Sequence, residues 1–144
     1  MSEELIAEAS VSIDAPAAAV WRALTDPELI REYLRGATVE TDWSPGSRIV
    51  WRGEWEGRPY RDHGTVVEVL ENERLVLTHF SPLSGKPDVA ENHHELTYSI
   101  EPVGDLTRLT LEQDNNATEA EARHSSENWQ AMLEQLRKVA EREQ

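Results

Sequence analysis

Apolar and polar residues recur with two different periods along this chain, and the change of period separates strands from a helix. After residue 118, small or apolar side chains recur at spacings of three and four, the period of an amphipathic helix. This face comprises Ala122, Ser126, Trp129, Leu133, Leu136 and Ala140. Thr118 followed by Glu121 matches the capping box that starts a helix. The pattern therefore predicts one long C-terminal helix with a single covered face.

The N-terminal third predicts one strand and two short helices. Residues 6–13 alternate between apolar and polar positions, which is typical of a strand with one buried face. Asp14 before Ala15-Pro16 is the predicted cap of a first short helix, and Thr25-Asp26-Pro27-Glu28 predicts the start of a second. Two short helices are therefore expected to interrupt the sheet after its first strand.

The middle of the chain returns to period two and predicts about six further strands. Residues 64–70 and 75–80 are expected to pair across the polar connection 71–74. Residues 96–100 and 109–111 predict the last hairpin. The predicted order is therefore one strand, two short helices, the remaining strands and the long helix.

One amphipathic helix and a run of one-faced strands predict an α+β fold. The helix is most economically packed into the concave face of a single curved antiparallel sheet. At 144 residues, the chain is expected to form one domain, residues 1–144, with a core large enough to need no disulfide or metal. Such packing leaves room for a cavity between the helix and the sheet.

Composition excludes several classes of partner and site. The chain has 14 Lys and Arg against 28 Asp and Glu, a formal net charge of −14, so we expect no nucleic-acid partner. No apolar run approaches a membrane span, so no membrane insertion is expected. Cysteine is absent, which excludes thiolate chemistry and fits a reducing compartment. Because the N-terminus also lacks a signal-peptide pattern, we expect a soluble cytoplasmic protein.

Several short motifs together resemble a known family. They are Ala15-Pro16 before Val20-Trp21, Leu24-Thr25-Asp26-Pro27-Glu28, Gly64-x-Val66 and Asn128-Trp129-x-x-Met132-Leu133. These motifs are similar to those of bacterial proteins related to the C-terminal domain of the activator of the heat-shock-protein-ninety ATPase, in the START-like or SRPBCC superfamily. The resemblance spans nearly the whole chain. It implies the helix-grip fold, in which a curved antiparallel sheet grips the last helix around a pocket.

The same resemblance implies more than one function. Relatives on this fold are similar to lipid carriers, polyketide cyclases, self-resistance proteins and co-chaperone domains, and fold alone does not choose between them. From the length of this sequence, we do not expect the additional N-terminal domain that full co-chaperone activators carry. Binding of a small molecule is therefore the preferred expectation, ahead of direct activation of a chaperone.

The five histidines do not show the spacing of a metal site. There is no HExxH motif, and adjacent His93 and His94 in a strand point to opposite faces. His79 and His94 share parity with neighbouring apolar positions, so both are expected to face inward. Catalysis by either histidine would need a second polar group, such as Glu91, Asn92 or Gln113, within reach. We therefore expect no metal, and no motif indicates a cofactor.

Tryptophan is unusually abundant, with five residues against one phenylalanine. The pattern places Trp21, Trp51, Trp55 and Trp129 on inward faces, where indoles suit both a core and a pocket for a flat or greasy ligand. We predict that the pocket is lined by Tyr33, Leu34, Trp51, His79, His94, Tyr98, Gln113, Trp129 and Leu133. The loop 81–91 is long enough to lie over the pocket mouth.

The leading hypothesis is a binding protein, more than an enzyme, for a small hydrophobic or aromatic molecule held between the sheet and the final helix. A second hypothesis is a protein-interaction module with a chaperone partner, whose ATPase it would stimulate. A third is a cyclase- or hydrolase-like enzyme that uses His79 or His94. Homodimerisation through an exposed strand also stays open.

Overall fold

The computed structural model describes residues 5–82 and 85–143, and it confirms the predicted order of elements. Strand β1 (Ala7–Ile13) is followed by helices α1 (Ala17–Thr25) and α2 (Pro27–Tyr33). The remaining strands are β2 (Thr38–Glu40), β3 (Arg48–Trp55), β4 (Arg58–Leu70), β5 (Arg74–His79), β6 (His94–Val103) and β7 (Leu106–Gln113). Helix α3 (Glu119–Arg142) follows β7.

The strands form one curved antiparallel sheet that grips α3. Its order is β1-β7-β6-β5-β4-β3-β2, and α3 packs along β1 and against both short helices. Fully buried leucines from β7 and α3, including Leu111 and Leu136, meet in the core between these layers. The α+β helix-grip fold is therefore confirmed. Within the described residues, no helix is apolar enough over sufficient length to cross a membrane.

Local hydrogen bonds explain where the helices begin. The Thr118 hydroxyl oxygen accepts a bond of 3.0 Å from the Glu121 N–H, as the capping box predicts. Asp26 likewise caps α2 by accepting from the Glu28 N–H. The prediction of Asp14 as the cap of α1 is wrong, because the helix begins later and Pro16 is its N-cap residue. The Asp14 N–H instead donates to a carboxylate oxygen of Glu141 on α3.

Strand β4 begins at Arg58, earlier than the predicted residue 64. Only Glu56 and Gly57 form the turn before it, with φ angles of 51° and 78°. Two residues with positive φ match the twist of a tight hairpin, so β3 and β4 pair immediately beside the turn, from Trp55 with Arg58 onward. This early start carries Tyr60 and Asp62 into the sheet.

Side chains of α3 cover the outer edge of β1. The Glu8 N–H donates to the Ser126 hydroxyl, and Gln130 binds both the N–H and the carbonyl oxygen of Ser10. These bonds satisfy backbone groups that an edge strand otherwise offers to another chain. Pairing with a second copy through β1 would therefore have to break contacts with α3.

Candidate ligand-binding site

A cavity of about 150 Å³ lies between the concave face of the sheet, α2 and α3. It adjoins a groove of about 740 Å³. The residues that border both spaces are Tyr33, Leu34, Tyr60, Asp62, His79, Trp129 and Met132. Because these walls are shared, the inner cavity and the outer groove are neighbouring parts of one site.

Aromatic side chains from four elements contribute to the inner wall. Tyr33 comes from the end of α2, Trp51 from β3 and Tyr98 from β6, while Trp129 comes from α3. The Tyr33 hydroxyl donates to the Ala23 carbonyl oxygen at 2.7 Å, which fixes its ring. Burial raises the pKa of Tyr33 and also that of Tyr98, so both phenols stay neutral at physiological pH. They therefore offer flat uncharged surfaces to a ligand.

A carboxylate and an imidazole pair within this aromatic pocket. Asp62 Oδ2 lies 2.9 Å from His79 Nε2, and the His79 ring packs edge-on against Trp51 with ring centroids 5.1 Å apart. The side chain of Asp62 is 15% exposed and that of His79 is 23% exposed. The second carboxylate oxygen of Asp62 is buried and has no hydrogen-bond partner among the described residues. Asp62 thus joins a mostly apolar site with one oxygen unsatisfied.

Gly53 makes room for Tyr60 beside this pair. The two residues face each other across β3 and β4, and a Cβ at residue 53 would lie 2.7 Å from the Tyr60 hydroxyl oxygen. The glycine therefore lets the phenol lie over the strand and border the site. Partial burial raises the pKa of Tyr60, and the charge of Asp62 adds to that effect.

Gln113 orients Trp129 at the other end of the groove. The indole N–H donates to Gln113 Oε1, and Gln113 is 7% exposed. His94 lies behind this amide, with its Nδ1 3.3 Å from Gln113 Nε2 and 3.0 Å from the Asp114 carbonyl oxygen. Nδ1 makes one of these two hydrogen bonds at a time: when protonated it donates to the Asp114 carbonyl oxygen, and when unprotonated it accepts from the Gln113 amide. His94 therefore supports the wall from outside it.

The structure brings together many of the predicted pocket residues. Those that border the cavity or the groove are Tyr33, Leu34, Trp51, His79, Tyr98, Gln113 and Trp129. His94 and Leu133 do not border either space, and Leu133 is fully buried in the core. Asp62 and Tyr60 were not among the predicted residues. Alternation along β4 could have predicted that both face inward, since they share parity with Val66, which is buried on the inward face.

Two predicted inward tryptophans lie elsewhere. Trp21 is half-buried against the core and borders neither the cavity nor the groove. The side chain of Trp55 lies outside the described residues. The indoles of the site are those of Trp51, Trp129 and Trp43, and the sequence pattern did not predict Trp43 as an inward residue.

Residues 88–93 of the loop after β5 lie on the opposite face of the sheet. Ser81 borders the groove, but the Asp88 carboxylate contacts His63 Nε2 at 2.9 Å and His93 Nε2 at 2.7 Å. His63 alternates with inward Asp62 along β4, so this cluster lies on the outer face. The His93 ring also stacks on buried Phe80. Within the described residues, no three His, Asp or Glu side chains are placed to hold a metal ion.

Asp88→Asn is expected to loosen this loop. The pKa of Asp88 is lowered, mainly by its hydrogen bond to His93. The stability that this hydrogen bond adds to the loop is therefore fully present above the ordinary Asp pKa of 3.8. That contribution is lost only as the pH falls through the lowered pKa. Hydrogen exchange at the Asn92 and His93 amides should therefore be about two- to five-fold faster in the variant from about pH 7 down to about pH 4.5. Identical exchange in both proteins at neutral pH would contradict the role of Asp88.

Comparison with known proteins identifies the family of this chain. The family model described as activator of Hsp90 ATPase homolog 1-like protein matches residues 14–141. The chain belongs to that family. Its fold and motifs place this family member in the START-like or SRPBCC superfamily. Comparison with curated proteins gives no match.

Solved structures agree with this assignment. A protein of Cytophaga hutchinsonii is 47% identical and has a TM-score of 0.86, and the match covers 99% of this chain and 97% of that one. A protein of Mesorhizobium loti is 22% identical with a TM-score of 0.76, covering 96% and 98% of the two chains. CalU16 from Micromonospora echinospora is 21% identical with a TM-score of 0.71, covering 96% and 85%. The last two similarities concern the fold alone.

Proposed function

We propose that this protein binds a small hydrophobic or aromatic molecule in the cavity and the adjoining groove. The observation that carries the proposal is the aromatic wall, to which the sheet, α2 and α3 each contribute a ring. Family membership supports it, because this fold in general binds ligands between its sheet and last helix. The absence of cysteine supports a reducing, cytoplasmic location as part of the same proposal.

The size of the site favours a molecule with one ring inside and the remainder outside. An apolar protein cavity of about 150 Å³ accepts benzene. The adjoining groove has the volume that is typical of small-molecule sites, about 300–1,000 Å³. A planar ring lying between Trp51 and Trp129 would bury apolar area on both faces, with the rest of the molecule in the groove.

A thermal-shift screen with lipids, flat aromatics and polyketide-like compounds tests this proposal. A ligand at about a hundred times its Kd adds about 2.7 kcal/mol, which corresponds to a Tm rise of about 5–10 °C for a domain of this size. The Trp51→Ala and Trp129→Ala variants should each remain folded and show no saturable rise in Tm with ligand. Trp21→Ala is the matched control, because that indole lies outside the site. If no compound raises the Tm of the wild-type protein, the proposal fails.

A second candidate function is catalysis of the cyclase or hydrolase kind. The pairing of Asp62 with His79 favours it, because a carboxylate that orients an imidazole is a common arrangement for proton transfer. His79→Ala would then abolish turnover of a bound compound while its affinity stays within about ten-fold of wild type. A co-chaperone role, which the family name suggests, is tested separately by stimulation of a chaperone ATPase.

A further inference from the structure

The carboxylate of Asp62 is the part of the site that apolar packing does not explain. Asp62 borders both the groove, whose walls are mostly polar, and the inner cavity, whose other walls are mostly rings or aliphatic side chains. An apolar residue at this position would avoid the free-energy cost of burying a charge, so the presence of Asp62 in the cavity wall indicates a polar contact.

The two oxygens of this carboxylate have different surroundings. Oδ2 is held by His79 Nε2 at 2.9 Å, which fixes the orientation of the whole group. Oδ1 is buried and has no partner among the described residues. A buried acceptor without a partner is costly, and native structures satisfy nearly all such atoms. Oδ1 is therefore an acceptor held in position for a donor that the described chain does not supply.

We propose that the ligand supplies this donor as a phenolic hydroxyl group, with its aromatic ring in the inner cavity and its O–H directed at Asp62 Oδ1. This inference rests on the proposed function and names the ligand class of the same site. A phenol fits better than an ammonium group, because it donates a hydrogen bond without bringing a full charge into the apolar cavity. His79 acts as a positioning residue, since it holds the carboxylate through the other oxygen.

Calorimetric titration with 2-naphthol and 2-methoxynaphthalene tests the hydroxyl contact directly, because the two probes differ by one methyl group on the oxygen. The wild-type protein should bind 2-naphthol about 10- to 100-fold more tightly, since the ether leaves Oδ1 unpaired. Asp62→Leu removes the acceptor at similar volume and should bind the two probes within about three-fold of each other. Asp105→Asn, which removes an exposed carboxylate in the turn after β6, should keep the wild-type preference.

A second variant covers the case in which Asp62→Leu does not fold. Asp62→Asn keeps the shape of the side chain and removes its charge, so it should reduce the preference for 2-naphthol by at least about five-fold. Thermal melts establish that each variant is folded before titration. Equal affinity of the wild-type protein for both probes would overturn the hydroxyl inference and leave the pocket in place. A preference unchanged in both variants would also overturn it, whereas failure of both probes to bind the wild-type protein would count against the proposed function as well.

Discussion

Replacement of Gly64 by alanine is expected to lower the free energy of unfolding by about 3 kcal/mol, the upper end of the usual range for overpacking. A Cβ at this position would lie 1.8 Å from the carbonyl oxygen of Thr78 and 2.6 Å from its carbonyl carbon. Those atoms belong to the backbone of β5 and cannot rotate away. The two strands would have to separate where the Thr65 N–H donates to the Thr78 hydroxyl.

This separation would reach the ligand site, because His79 follows Thr78 directly and pairs with Asp62 across the same two strands. The loss of stability should lower the Tm by about 6–12 °C, which a thermal melt followed by circular dichroism measures. Gly64→Ala should also weaken any ligand whose binding depends on Asp62. The effect is steric, since the φ angle of Gly64 is not in the left-handed region.

Gly53→Ala is the matched control for this prediction. It makes the same substitution within a strand, but the added methyl group meets the hydroxyl end of Tyr60 at 2.7 Å. A side-chain end of this kind can turn aside, so the expected cost is below about 1 kcal/mol. Displacement of Tyr60 should instead change ligand affinity, since this residue borders both spaces of the site. Equal destabilisation by the two variants would show that the contact with Thr78 is not decisive.

Local signals in the sequence predict the helices and most strands well. The Thr118 and Glu121 pair specifies the start of α3 through hydrogen bonds between residues that are close along the chain. Alternation likewise predicts that Leu75 and Leu77 face the core. Asp14 shows the limit of such reasoning, because a side chain with good capping chemistry lies before the helix start and meets α3 instead.

Membership of the ligand site is harder to predict, because it depends on how far α3 is rotated and how strongly the sheet is curved. Trp129 and Leu133 lie one turn apart on the same predicted face, yet one borders the cavity and the other is wholly in the core. Neither quantity is encoded in a short stretch of sequence. Asp62 was missed for a different reason, since the strand that carries it extends beyond the segment whose apolar pattern predicted it.

Leu133→Ala is expected to lower the free energy of unfolding by about 3–4 kcal/mol, within the range for a fully buried leucine. The side chain is 0% exposed and packs in the core on α3, so its removal leaves a cavity that neighbours cannot fill completely. Urea denaturation should show a lower midpoint with an unchanged m-value. Ligand affinity measured well below the midpoint should stay within about three-fold of wild type, because Leu133 does not border the site.

Trp129→Ala, on the same helix, should affect ligand binding more than stability. Its indole is only half-buried but borders both the cavity and the groove, so ligand binding should be lost at a smaller cost in stability than that of Leu133→Ala. The buried Gln113 amide would also lose the donor that now satisfies its oxygen. If the folded Leu133→Ala variant did not bind the ligand, core packing and ligand binding would be coupled. The prediction from helical spacing that Leu133 belongs to the ligand site would then be correct. If Leu133→Ala mainly lowers stability and Trp129→Ala mainly abolishes ligand binding, two residues one turn apart on α3 have separate roles. Leu133 then stabilises the fold, and Trp129 contacts the ligand.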